Sequence, residues 1–194
     1  MRRIFLFGWL LALSACLSIG MPAVARAQAA DRVEIASTQL DRTDEGYRLS
    51  VIYKFDLNEE LRNAVERGIP LFFTTDIQVV QQRWYWLDKV ITDKSWTKRI
   101  TYNVLTRQYR VTIGNGQNYY FESIEDALYA IEQPAGWLVA DRDDLQPGVT
   151  YQLSLRMYLN LEHLPKPFQV NAFNNKDWRL SSERKVIAFR AESK

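Results

Sequence analysis

Along this chain apolar residues return at every second position more often than at every third or fourth. Tyr47, Leu49, Val51, Tyr53 and Phe55 alternate with Arg48, Ser50, Ile52 and Lys54. Successive side chains of a strand point to opposite faces, so this period predicts a strand with one buried face. The same alternation runs through Ile100, Tyr102 and Val104, then Tyr109, Val111 and Ile113, which read as the two arms of a hairpin turning near Thr106-Arg107. Gly114-Asn115-Gly116 supplies a second tight turn. Alternation returns through Tyr151, Leu153, Leu155, Met157 and Leu159. Shorter strands are predicted at Val33–Leu40, Tyr119–Phe121, Trp137–Val139 and Val186–Phe189. The apolar stretch Ile69–Ile91 is too long for one strand of about 5–6 residues. Its alternation slips at Gln81-Gln82, which marks a bulge, a bend or the meeting of two strands.

Two segments carry helix signals instead. Asn58 is placed to cap a short helix through Leu61 and Val65, with Gly68 where a C-terminal cap belongs and Pro70 reinforcing the stop. Ser123 is placed to cap a second helix, with Asp126 three residues on and Leu128 and Ile131 as its apolar side. Short strands at near-regular spacing with only two short helices predict a mainly β fold. The expectation is a single-domain antiparallel β-sandwich of immunoglobulin-like type, spanning residues 30–194.

The stretch Leu164–Ser182 punctuates the end of this pattern. Pro165 and Pro167 restrict the backbone and remove two donors, which predicts an extended, edge-like path resuming alternation at Phe168 and Val170. Asn174-Asn175-Lys176-Asp177 has the chemistry of a hairpin turn, and Trp178 and Leu180 follow it. In functional terms such an edge suits strand addition by a partner.

Residues 1–29 have a different character. Arg2 and Arg3 precede an apolar run from Ile4 to about Ile19, and small residues follow in Ala-x-Ala spacing. This is the pattern of a bacterial secretory signal peptide, cleaved after Ala29 or Ala27. Leu13-Ser14-Ala15-Cys16 offers a second route, in which Cys16 is lipidated and anchors the chain. Arg2-Arg3 also touches the twin-arginine pattern, without its usual preceding segment. The expected location is the periplasm, with membrane contact only through the leader or a lipid anchor.

The leader changes the charge and cysteine arguments. The whole chain carries 25 basic and 23 acidic residues, for a net charge of +2. Removing Arg2, Arg3 and Arg26 turns that into −1, leaving no overall footprint for nucleic acid. Cys16 is the only cysteine, so the remaining chain has neither disulfides nor a thiol nucleophile. His163 is the only histidine, and it reads as a loop residue rather than a general base. No Gly-x-Ser-x-Gly elbow is present, and zinc would need several His or Cys ligands. Asp141–Asp144 reads as a solvated turn rather than a calcium loop, since Pro147-Gly148 follows where a further acid is needed. A carboxylate pair for glycoside hydrolysis is not marked by any spacing. The expectation is therefore no catalytic residue, no metal and no cofactor.

Charge within the chain is uneven. From Arg83 to Arg110 there are seven basic residues and two acids, interleaved with Trp84, Tyr85, Trp86, Trp96, Tyr102 and Tyr109. From Glu122 to Asp144 seven acids face one arginine. The two segments read as solvated faces, or as complementary patches for self-association. Trp84 and Trp86 share strand parity, so they point to one side: core anchors if buried, a platform beside Arg83 for glycan, lipid or protein if exposed. Core is the reading their parity favours.

Arg83-Trp84-Tyr85-Trp86, "LTRQYRV", "FESIEDAL" and Leu164-Pro165-Lys166-Pro167-Phe168 with the later "DWRLSS" together resemble a proteobacterial family of exported proteins known only as domain of unknown function 4390. The resemblance runs from about Val33 to Phe189. It carries no known activity and no catalytic residue. The family's genes often lie beside a membrane sensor histidine kinase and its response regulator. The resemblance thus implies an envelope accessory to signalling, with a protein partner such as the outer part of that kinase. The expected function is a non-enzymatic protein-interaction domain using Pro165, Lys166, Pro167, Phe168 and Trp178. The alternative is a glycan- or lipid-binding module using Arg83, Trp84 and Trp86.

Overall fold

The computed structural model describes residues 32–85, 87–114 and 116–192. The leader, Cys16 and Trp86 lie outside the described residues. Ten strands and three α-helices are present among those described.

The first strand, β1 (Arg32–Arg42), pairs antiparallel with β2 (Gly46–Lys54). Helix α1 (Glu59–Glu66) follows, ended as its sequence predicts. Asn58 Oδ1 accepts from the Leu61 amide at 2.9 Å. At the far end the Gly68 amide reaches Val65 O and the Ile69 amide reaches Ala64 O, with Gly68 at φ +82°. That geometry satisfies carbonyls the helix would leave bare, and a glycine adopts it at little cost. Leu61 and Val65 are fully buried.

The long apolar stretch is two strands. β3 (Leu71–Gln81) and β4 (Lys89–Asn103) pair antiparallel, with a bulge between Val79 and Val80. β3 ends at Gln81, where the alternation slips. β5 (Gln108–Ile113) returns along β4 in the expected register, Ile100 opposite Val111 and Tyr102 opposite Tyr109. Val104 belongs to the turn and is exposed. β6 (Gln117–Phe121) forms the outer edge beyond β5. Ser123 caps α2 (Ile124–Glu132): its Oγ accepts from the Asp126 amide at 3.1 Å.

β7 (Trp137–Asp141) pairs with β2, and β8 (Thr150–Leu159) pairs with β3. Two short segments then share the other edge of β8. β9 (Ser181–Ser182) lies against its end, and β10 (Lys185–Arg190) against its first half. β9 also pairs with the start of β1, in parallel. All ten strands therefore belong to one hydrogen-bonded sheet, running β6-β5-β4-β3-β8-β9-β1-β2-β7 with β10 branching from β8.

The mainly β expectation holds, but two facing sheets are not separable. The sheet curls into a half-barrel instead. Its two flanks meet where Trp96 of β4 stacks on Trp137 of β7, ring centroids 4.9 Å apart and planes within 8°. Lys94 Nζ donates to Leu138 O at 3.2 Å across the same closure. The concave face carries the core, including Leu49, Leu71, Ile77, Ile100, Val111, Leu153 and Leu155, all fully buried.

The predicted edge and hairpin at Leu164–Ser182 are corrected. Lys166–Asn174 is a third helix, α3, and Lys176–Trp178 is a single 3₁₀ turn. Pro165 is the N-cap and Pro167 lies within the first turn. A helix leaves its first amides unbonded, so proline loses nothing there and its fixed φ suits the start.

Candidate functional site

Two regions with the most distinctive sequence lie at opposite ends of β3. One is the β3–β4 tip, Gln82–Asp88. The other is α3 with its flanking turns, since the β8 residue Leu159 pairs with Phe73 near the start of β3.

At the tip the backbone has left the sheet, so strand parity no longer decides burial. Trp84 is 94% exposed and Leu87 is 82% exposed, with Tyr85 also exposed. The expectation that Trp84 anchors the core is corrected: among the described residues no element buries it. Trp84 and Tyr85 meet edge to face at 5.1 Å. The Arg83 amide donates to Asp88 Oδ1 at 3.3 Å, closing the turn. Arg83 is half-buried and Lys89 exposed, so two cations flank the aromatic pair. Tyr85 and Leu87 were not singled out by sequence. The slip at Gln81-Gln82 was the available signal, because apolar residues past a strand end lose the sheet that would bury them.

At the other end the expected cluster divides. Trp178 is buried, 6% exposed, in a turn packed against α1 and α3. Asn58 Nδ2 donates to Asp177 O at 2.7 Å, tying that turn to the N-cap of α1. Pro165, Lys166 and Pro167 are exposed, as is Phe168, at 39%. Lys166 Nζ reaches Gln169 Oε1 at 3.3 Å, and Gln169 Nε2 donates back to Glu162 O and Leu164 O. Only Ala172 of α3 is buried, while Val170 and Phe173 face outward. Trp178 thus holds α3 in place, and Phe168, Val170 and Phe173 supply the exposed apolar surface.

The uneven charge is answered in part within the chain, through Lys94 and Lys98. The basic segment includes Lys98, which points into the curl and is buried. Its Nζ donates to Ala130 O at 2.8 Å and Ile131 O at 3.1 Å. These are carbonyls of the last turn of α2, where the helix dipole favours a cation. Burial nevertheless penalises the ammonium and lowers its pKa to about 8. Lys94 approaches Asp141 at 3.9 Å. The acidic segment therefore folds against the basic one, and the patches are not two free faces. Arg99 and Arg110 remain on the convex face, each with a buried Nε that has no hydrogen-bond partner.

His163 is exposed, its ring 5.4 Å from that of Phe72. Among the described residues no group of His, Cys, Asp and Glu gathers closely enough to hold a metal ion, and no helix is long and apolar enough to cross a membrane.

The geometry defines a mainly β half-barrel with exposed apolar groups at both ends of its central strand. The model of a domain of unknown function, DUF4390, matches residues 30–188, and the chain belongs to that family. The resemblance carried by Arg83–Trp86 and Leu164–Phe168 is thereby confirmed at the level of the family. No curated protein and no solved structure matches the chain.

Proposed function

We propose that the chain is an exported, non-enzymatic interaction domain that works in the periplasm and engages a protein partner through the β3–β4 tip. The observation that carries this reading is Trp84, 94% exposed at the end of a hairpin and flanked by Arg83 and Tyr85. Trp, Tyr and Arg dominate the energetics of protein interfaces because each offers a large contact area together with a polar handle. A side chain that size, left in water by the fold, gains by burial only when something else covers it. The family resemblance implies a membrane sensor kinase as the partner. The leader pattern of residues 1–29 supports export.

A photoreactive benzophenone amino acid placed at Tyr85 tests this in cells. The expected result is one discrete adduct, identified by mass spectrometry, that disappears when Trp84→Ala is added. An adduct unchanged by Trp84→Ala would overturn the tip as the site.

The same tip favours a second reading, contact with anionic lipid, because aromatic and aliphatic groups beside cations suit a headgroup boundary. Cosedimentation with phosphatidylglycerol vesicles that is lost in Trp84→Ala would select it over a protein partner.

A further inference from the structure

The sheet is missing a strand. β9 pairs with both β8 and β1, and beyond it the sheet forks. β10 follows β8, antiparallel, and β1 leaves in parallel with β9, antiparallel to β8. β1 and β10 therefore run in the same direction. At the fork Val33 stands opposite Ser182. At the far end they are tied again: Arg42 Nη1 meets Glu192 Oε2 at 2.8 Å, and Tyr47 Oη donates to Arg190 O while accepting from the Glu192 amide. Between these ties no backbone hydrogen bond joins β1 to β10 among the described residues. Their Cα atoms lie more than 8 Å apart along nearly all of that length. A single inserted strand sets its two neighbours about 9.5 Å apart.

At the fork end of this gap lies an open cleft of about 640 Å³, lined by the first four residues of β1 and by Ser181–Lys185, of which only Lys185 belongs to β10. Val33 is buried beneath it, and Ile35 and Ile187 are half-buried along the two strands. Arg184 and Lys185 enter no ion pair among the described residues, and Arg184 spends its Nη1 on Ser154 Oγ at 3.3 Å. Glu34 is the one acid of the lining without a cation, since Glu183 lies 3.9 Å from Arg32.

We propose that this gap is a slot for an extended, acid-bearing peptide segment of a partner protein, added as the strand between β1 and β10. Unpaired strand edges recognise extended backbone, since only backbone presents donors and acceptors at the matching repeat. The outer edges of β6 and β7 are also unpaired, but each offers one ladder; the gap offers two. A strand that fills it must have both of its own edges free. Every described strand of this fold already has a neighbour, so a folded second copy cannot supply one. Because β1 and β10 are parallel to each other, one inserted strand can run antiparallel to both, the stronger of the two pairings. Arg184 and Lys185 at the mouth favour carboxylates on that segment. The slot is separate from the β3–β4 tip and stands or falls without it.

The test uses the protein purified from its producing cells and a phage-displayed library of random twelve-residue peptides. Selected peptides are expected to alternate apolar residues with Asp or Glu. Binding of the best synthetic peptide is expected to slow amide hydrogen exchange at least tenfold within Glu34–Leu40 and Lys185–Arg190, leaving the tip unchanged. Arg184→Glu with Lys185→Glu is expected to weaken that peptide at least tenfold without moving Tm, and Trp84→Ala is expected to leave it untouched. Four results would each overturn the slot: no selected peptide, protection confined to the tip or to β6, binding indifferent to the charge reversal, or gap amides already protected in the free chain.

Discussion

Two tryptophans at opposite ends of β3 exchange their expected places. Trp84 has strand parity and a dense apolar context, and it stands in solvent. Trp178 follows a run of turn residues in a stretch expected to be a recognition edge, and it is buried. The stretch with the denser apolar context is the exposed one, so apolar content does not decide the outcome. What differs is what the chain does next. After Gln81 it turns straight back into β4, and none of the described elements covers the tip. At Trp178 it makes a turn that packs against both α1 and α3, so the indole is enclosed by local structure rather than by the sheet. Burial at the end of a strand depends on the connection, not on the residue.

The comparison is most severely tested by removing the indoles. Trp178→Ala is expected to destabilise the protein by about 3–5 kcal/mol, because a cavity replaces a large buried ring. Trp84→Ala is expected to stay within about 0.5 kcal/mol of the parent. Urea denaturation of both variants checks this, and equal losses would break the contrast.

The cations of the basic segment divide in the same way, Lys89 exposed and Lys98 buried. With the Lys98 pKa lowered from 10.5 to about 8, the unfolded chain holds more protons than the folded one between those values. Stability should therefore climb as pH rises, by about 1–2 kcal/mol between pH 7.5 and 9.5. The window closes near pH 10, above which unfolding is favoured by Tyr53, whose burial raises its pKa to about 12. Denaturation midpoints across this range should rise in the parent and stay flat at Lys98 in Lys98→Met.

The smallest effect is expected on α3. Phe173→Ser and Val170→Ser should each change stability by less than about 0.5 kcal/mol, since neither side chain is enclosed. Thermal melts that fell by several degrees would mean that α3 packs more tightly than its exposed face indicates.

Most of the sheet was legible because period-2 alternation is a direct record of one-sided burial. Tyr151 to Leu159 and Leu49 to Tyr53 follow it position by position. Both caps of α1 were legible because Asn58 and Gly68 act on their nearest backbone. The curl was not, because it depends on Trp96 meeting Trp137 across 41 positions, and alternation says nothing about which faces meet. α3 was missed because Pro165 and Pro167 fit a helix start as well as an extended edge. Within the candidate site Arg83 was identified as a contact residue, Trp84 was identified but placed in the core, Trp178 was identified but placed outside, and Tyr85 and Leu87 were given no role of their own. Each error concerns a residue beyond the end of a strand, where the periodic signal stops.

The two-residue strand β9 also sets a timetable. Ser181 and Ser182 join β1 to the rest of the sheet, and Ser182 Oγ accepts from the Met157 amide at 3.0 Å. β1 thus waits for residues that lie 149 positions further along, Ser181 opposite Arg32. Pairings this distant in sequence are slow to find, and here the partner does not yet exist while β1 to β8 are being synthesised. Until β9 emerges, the growing chain can join its first hairpin to its central strands only through side chains, as at Trp96 and Trp137, and not through a backbone ladder. Two residues of ladder thus decide when the sheet becomes continuous.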